Sequence, residues 1–263
     1  QVLGLAHAES FLVGKSEPFQ FTHTRCCFMN RPNNLTDPSV VVQTVRVWDL
    51  PTRVFHVLLM VCFVGLVITG QVGGEAMQWH FYFGYVVLSL LLFRLVWGFV
   101  GGHWSRFAQF APSPRAAMSY FSGLLQGRHA PSVGHNPMGA LSVLAMLVLL
   151  LIQVFTGFIS DDEIAASGPW TSLVSSDWIE WATEYHSEVG QVLLIALAVL
   201  HVASVLFYKR VKNEDLVTPM IRGDKSLPAD TPASQDSAVS RVFALVLWAG
   251  CGYVVYQWVN LAG

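Results

Sequence analysis

Five apolar runs of about twenty residues each, at roughly 54–72, 80–100, 138–159, 185–207 and 240–260, dominate this chain of 263 residues. At 1.5 Å per residue, a helix of that length spans a hydrocarbon core of about 30 Å. In lipid the backbone must satisfy its own hydrogen bonds, so the runs are expected to be helices. The segments between them leave no room for a large soluble domain. Only 12% of the residues are charged, about half the share of an ordinary soluble domain. The expectation is an all-α integral membrane protein, with lipid and not nucleic acid among its partners.

Lysine and arginine orient the chain. Of fifteen, only Arg94 lies deep within a run; the rest, with Arg241 at the very start of the last run, fall in residues 1–53, 101–137 and 208–241. The segments 73–79 and 160–184 and the C-terminal tail have none. The positive-inside rule then puts the N-terminus in the cytoplasm and the C-terminus in the periplasm, as an odd number of spans requires. Acidic residues show the reverse bias. Glu75, Asp161, Asp162, Glu163, Asp177, Glu180, Glu184 and Glu188 gather on the outer side with no lysine or arginine among them. Any one of them reads as a hydrated loop residue. Together they suggest a docking surface for a basic partner.

Residues 1–44 show no sustained period and no basic segment leading into an apolar core with a cleavage site. An accessory tail of unassigned role is expected there, and no signal peptide. Residues 45–225 read as a four-helix core with a long inner loop at 101–137, and residues 226–263 as a linker and a fifth span. Trp48, Asp49, Pro51 and Thr52 look like an interfacial start to span one, with the Trp48 ring at headgroup depth. Residues Arg115 to Gln126 look like a surface helix, its apolar face formed by Met118, Tyr120, Phe121, Leu124 and Leu125. Asn136-Pro137 opens span three as a cap followed by proline. Residues 208–239 read as a polar inner linker. Span five has no charged residue beyond its first turn and no histidine, and reads as a packing helix. Cys62 and Cys251 lie in spans as small packing residues, and Cys26 and Cys27 are adjacent in the tail. No C-x-x-C-H is present, which excludes covalent haem attachment of the c type.

Histidines carry the chemistry. His56, His80, His186 and His201 sit in or at the ends of apolar runs, where an ionisable group without a partner is expensive. His186 and His201 are 15 residues apart, about 22 Å along a helix and about 60° in projection. They can face one bundle interior at two levels. Depth then pairs His80 with His186 on the outer side and His56 with His201 on the inner side. Zinc or copper would want three or four ligands converging at one level, and a proton relay would want mid-membrane carboxylates. Two axial nitrogens from facing helices suit haem iron, so the pattern points to two non-covalent haems b.

Gly84 and Gly190 each follow an outer histidine by four residues, and Gly70 lies at the outer level on the face of His56. Close approach of a macrocycle and close packing of helices both explain these glycines. Arg94 lies 14 residues after His80, on its face but at the inner level. A propionate of the inner haem is the preferred counter-ion, with snorkelling to the headgroups as the alternative. His135 precedes a helix cap, where a structural hydrogen bond is the plain reading. His103 and His129 are not expected to be ligands.

Several stretches together resemble the prokaryotic cytochrome b561 family, in the branch that includes the b-type cytochrome subunits of nickel–iron hydrogenases. They are Val47-Trp48-Asp49-Leu50-Pro51-Thr52-Arg53-Val54-Phe55-His56, His80 with Gly84-Tyr85, Phe93-Arg94-Leu95-Val96-Trp97-Gly98-Phe99, Gly134-His135-Asn136-Pro137-Met138-Gly139-Ala140, and the His186/His201 pair. The likeness covers roughly residues 45–225. It implies a four-helix core holding two haems b in a bacterial inner membrane, exchanging electrons with quinone. It leaves the fifth span open. The periplasmic partner is then a hydrogenase or dehydrogenase subunit, or a basic c-type cytochrome. A free-standing superoxide:quinone oxidoreductase is a further alternative, against which the acidic outer side argues by repelling an anion. A non-redox membrane protein is the last.

Overall fold

The computed structural model describes residues 41–126, 132–164 and 166–261. Apart from residues 41–44, the expected tail lies outside the described residues, with His7, His23, Cys26 and Cys27; so does His129. In chain order the elements are β1 (Val42–Arg46), α1 (Leu50–Val72), α2 (Met77–Val100), α3 (Phe107–Phe110), α4 (Pro114–Leu125) and α5 (Pro137–Ile159). They continue with α6 (Ser176–Glu184), α7 (Gln191–Val211), α8 (Val217–Arg222), β2 (Asp224–Pro228) and α9 (Ala238–Val259). Five helical rods are long and apolar enough to cross a membrane: α1, α2, α5, α9 and a continuous rod of 36 residues, Ser176–Val211, that joins α6 to α7. The fourth rod starts well before the apolar run that marked it, because α6 is amphipathic and carries Asp177, Glu180 and Glu184.

Local chemistry sets the helix ends. Asp49 caps α1 by accepting from Thr52 N at 2.8 Å, and Asn136 caps α5 by accepting from Gly139 N at 2.7 Å. Pro51 and Pro137 occupy first-turn positions where a missing N–H costs nothing. Gly73 and Gly74 turn α1 into α2 with φ of 66° and 55°, a left-handed pair that side chains resist. Ser113 caps α4, which leaves Met118 and Phe121 exposed, as an apolar face resting on lipid requires.

The most buried of the five spans is α2, packed between α1, α5 and α9. Its Val87, Leu88, Leu90, Leu91 and Trp97 form the centre of the core. The fifth helix is the packing element expected of it. It runs along α2, where Trp248 Nε1 donates to Ser89 Oγ at 3.1 Å, and its Trp258 carbonyl accepts from Trp170 Nε1 at 2.7 Å. Val61, Val64 and Ile68 of α1 and Val192, Val199 and Val202 of α7 stay exposed, as outward faces solvated by lipid do.

At the inner end, two features depart from the sequence reading. Residues 208–239 are not a plain linker: α8 and β2 fold there, and β2 pairs antiparallel with β1, Val42 opposite Pro228 and Arg46 opposite Asp224. The strands are five residues each and lie far apart in sequence, so local pattern cannot pair them. The Trp48 ring, expected among the headgroups, is for its part buried within the protein beside Asp49. The Asp49 carboxylate is fully buried and accepts from Thr52 N, Trp97 Nε1 (3.2 Å), Gly102 N (3.1 Å) and Ser105 Oγ (2.7 Å). One carboxylate thereby ties the start of α1 to the end of α2.

A second knot forms at Asp236. It pairs with Arg46 at 3.0 Å and Arg241 at 2.9 Å, stands 3.9 Å from Arg53, and accepts from Leu50 N at 3.2 Å. Partial burial alone would raise this carboxyl, but the hydrogen bonds from Arg241 and Leu50 and the charges of Arg241 and Arg46 outweigh it and hold the carboxyl below its ordinary value. A depressed acid stabilises the fold above its unfolded pKa, and that contribution disappears as pH falls through the folded value. Thermal stability in detergent is therefore expected to fall as pH drops below about 4. Asp236→Asn should flatten that acid limb and lower stability at pH 7; an unchanged limb would contradict the assignment.

Candidate functional site: two facing histidine pairs

The four helices around the bundle interior carry His56 on α1, His80 on α2, His186 at the junction of α6 and α7, and His201 on α7. They meet in the pairs that depth dictated. The rings of His80 and His186 lie 6.1 Å apart between centroids, at 75° to one another, and those of His56 and His201 lie 6.5 Å apart at 54°. One metal ion between two imidazoles, with bonds of about 2 Å on each side plus the ring radii, puts the centroids roughly 6 Å apart. Among the described residues no three His, Cys, Asp or Glu side chains converge on one point, so each level offers two nitrogens.

The outer pair is set by a repeated local device. His80 Nδ1 lies 3.1 Å from the Leu66 carbonyl and 3.3 Å from Thr69 Oγ1. His186 Nδ1 lies 2.8 Å from the Gln153 carbonyl and 3.4 Å from Thr156 Oγ1. In each case the carbonyl stands three residues before a Thr-Gly dipeptide, Thr69-Gly70 or Thr156-Gly157, near the outer end of the neighbouring helix. Each threonine hydroxyl also donates back to its own helix. A carbonyl can only accept, so both Nδ1 atoms carry the proton and both Nε2 atoms keep a free lone pair. That is the tautomer a metal-ligating histidine needs. The glycines give the rings their seats: a Cβ on Gly70 would stand 3.3 Å from the His80 ring, and one on Gly157 would stand 2.7 Å from the His186 ring.

His186 needs one further adjustment. A regular α-helix would leave it about 60° out of line with His201. The stretch Tyr185–Gly190 is instead a π turn, which winds less per residue and takes up part of that offset. Gln153 holds the turn: its side-chain amide donates to the His186 carbonyl at 2.8 Å while its own carbonyl accepts from the imidazole.

A cavity of about 380 Å³ opens beside this pair, lined by His80, His186, Gly70, Gly84, Gly157 and Tyr85 among others. A Cβ on Gly84 would meet open space, whereas one on Gly190 would collide with the Gln153 side chain. Gly190 is thus corrected from a cavity wall to a close-packing position, because the π turn rotates it onto α5. Gly157 and Gln153 escaped the sequence reading, although the repeated Thr-Gly dipeptide was there to be seen. Two opposed imidazoles with committed Nδ1 protons, beside an apolar cavity walled by glycine, fit a haem.

The inner level is built differently. Neither His56 nor His201 has a hydrogen bond among the described residues. Arg94 is 3% exposed, its guanidinium 4.8 Å from the Phe107 ring centre and its Nη1 without a hydrogen-bond partner among the described residues. Snorkelling is ruled out, because α3 covers the side chain. His135 lies between the rings of Trp48 and Phe110, each 4.8 Å away. Among the described residues the structural hydrogen bond expected of it is missing at Nδ1, which is buried without a partner there. Desolvation, with Arg94, His201 and His56 adding to it, pushes His135 down to about 3, so the ring is neutral.

The family model of prokaryotic cytochrome b561 matches residues 47–223, two thirds of the chain and all four histidines. The chain belongs to the prokaryotic cytochrome b561 family. Membership makes it a multi-pass membrane cytochrome of electron transport. Similar curated proteins include a probable Ni/Fe-hydrogenase 1 B-type cytochrome subunit of Escherichia coli K12, 26% identical over 216 residues, covering 68% of this chain and 90% of that one. A probable Ni/Fe-hydrogenase B-type cytochrome subunit of Azotobacter chroococcum mcd 1 is 25% identical over 221 residues, covering 72% and 91%. One from Rhizobium leguminosarum bv. viciae is 24% identical, covering 70% and 89%. No solved structure matches.

Proposed function

We propose that this cytochrome carries electrons between a periplasmic redox protein and the quinone pool of the bacterial inner membrane, through two haems b. His80 and His186 would hold the outer haem, and His56 and His201 the inner one. The observation that carries this reading is the pair of opposed imidazoles at each of two depths, with the outer Nδ1 protons committed to carbonyls. Haem, when bound, supplies a one-electron couple; the chain supplies position, burial and charge. Gly70, Gly84 and Gly157 leave room for a flat ring at the outer level. Arg94 offers a buried guanidinium to a propionate at the inner level. The cavity wall beside the outer pair is mostly apolar.

The printed names of the relatives favour a nickel–iron hydrogenase as the outer partner. The acidic outer side supports a second reading, a basic c-type cytochrome docking there. With the N-terminus cytoplasmic, quinone reduced near the inner pair would take its protons from the cytoplasm. The test is rapid mixing of the purified, pre-reduced holoprotein with a water-soluble quinone analogue. Haem absorbance should reoxidise within the mixing experiment, at two haem electrons per quinone. No reoxidation would contradict the quinone link.

A further inference from the structure

Two buried nitrogens at the inner level have no hydrogen-bond partner among the described residues: Nη1 of Arg94 and Nδ1 of His135. Both side chains pack on Phe110, the guanidinium 5.8 Å and the imidazole 4.8 Å from its ring centre. Phe107 and Trp48 close the remaining walls, Phe107 against Arg94 and Trp48 against His135. Asp49 is near enough for its charge to act on Arg94, but its oxygens are taken by Thr52 N, Trp97 Nε1, Gly102 N and Ser105 Oγ. A guanidinium can only donate, so Nη1 needs an acceptor that these residues do not supply.

Both groups are firmly placed. Arg94 stands on α2, the most buried span. His135 lies in a short segment fixed at each end: Asn136 caps α5, and Lys225 of β2 donates to the Ser132 carbonyl at 2.9 Å while pairing with Glu214 at 2.9 Å. The ring is thereby held between Trp48 and Phe110. Two anchored, buried nitrogens without partners are unfavourable until one acceptor serves both.

We infer that Arg94 and His135 together clamp one carboxylate of the inner haem, with Nη1 donating to one oxygen and Nδ1 to the other. The inference rests on the two-haem reading above and adds His135 to the groups that hold the cofactor. The ring interacts electrostatically with Arg94, His201 and His56, which puts the two donors beside the inner pair. A carboxylate brings two acceptor oxygens and a single charge. One guanidinium and one neutral N–H match it, whereas two cations would leave surplus charge in a poorly solvated place. The outer level has no counterpart, since neither lysine nor arginine is among the described residues lining its cavity. The clamp therefore distinguishes one level from the other.

The test is reconstitution of the full chain, stripped of haem in detergent, with haem b and with its dimethyl ester, whose carboxylates are both blocked. Reduced-minus-oxidised spectra report occupancy, with His186→Ala and His56→Ala assigning the signals to each level. In the wild-type chain the ester should bind the inner pair at least about tenfold more weakly than haem, and the outer pair with a clearly smaller loss. His135→Phe keeps the aromatic stack and removes the donor, so the inner preference for haem over ester should shrink severalfold. His135→Asn, with an amide N–H close to the place of Nδ1, should restore most of it. That ratio compares two ligands on one variant, so a merely structural role for His135 would leave it unchanged. The comparison of levels in the wild-type chain needs no substitution, and His135→Leu replaces His135→Phe if the latter does not fold. An inner pair that binds ester as well as haem, a loss equal at both levels, or a ratio untouched by removing the His135 donor would overturn the inference with two haems still bound. A wild-type chain that takes up no haem at the inner pair would instead fail the functional reading, and the inference with it.

Discussion

His186→Ala is expected to halve the haem content of the purified protein and to leave the inner haem's spectrum intact. Among the described residues His186 is held by outer-level groups: Gln153 from α5, the Thr156 hydroxyl and the π turn beneath it. His80→Ala should give the same product, whereas His56→Ala and His201→Ala should each spare the outer haem. Gly157→Ala is a finer probe of the same socket. Its Cβ would stand 2.7 Å from the His186 ring, so the ring must move off its carbonyl. Loss of such a supporting contact typically weakens binding by about 10–100-fold. Measuring haem per chain and the reduced-minus-oxidised spectrum of each variant decides the matter. If each single histidine change lowered both signals equally, the pairing by depth would be wrong.

The second large effect is on folding. Asp49→Ala removes a buried carboxylate that accepts from Thr52 N, Trp97 Nε1, Gly102 N and Ser105 Oγ. Each orphaned buried donor costs about 1–3 kcal/mol, partly relieved by water entering the space, so a total loss of about 3–5 kcal/mol is expected. Asp49→Asn keeps one acceptor and should lose less. Gly102 supports the same knot, since a Cβ there would collide with the Asp49 carboxylate. Thermal unfolding in detergent, followed by tryptophan fluorescence, measures the loss directly. A change below about 1 kcal/mol would mean that the knot is dispensable.

The sequence makes the membrane helices readable because the bilayer imposes one rule on every span, about twenty apolar residues in a row. The histidine pairs are readable for the same reason, since depth along a span reduces a three-dimensional question to one coordinate. The features that stay hidden depend on contacts between distant segments. Asp49 looks like an ordinary cap because its partners Trp97, Gly102 and Ser105 lie about fifty residues away. The β1–β2 pairing joins strands separated by most of the chain. Gln153 shows its role only once the π turn leaves the His186 carbonyl needing a donor. Gly190 misleads because a constant 100° per residue puts it on the cavity face, and the turn moves it off. The Thr-Gly repeat is different: it stands openly in the sequence, and an internal comparison of spans one and three would have found it.

The measurement that tests the central claim most directly is a pyridine haemochrome assay on the purified chain from a haem-replete host, with protein quantified independently. Two histidine pairs at two depths predict two haems b per chain. One haem, or none, would contradict the reading of both pairs as haem sites.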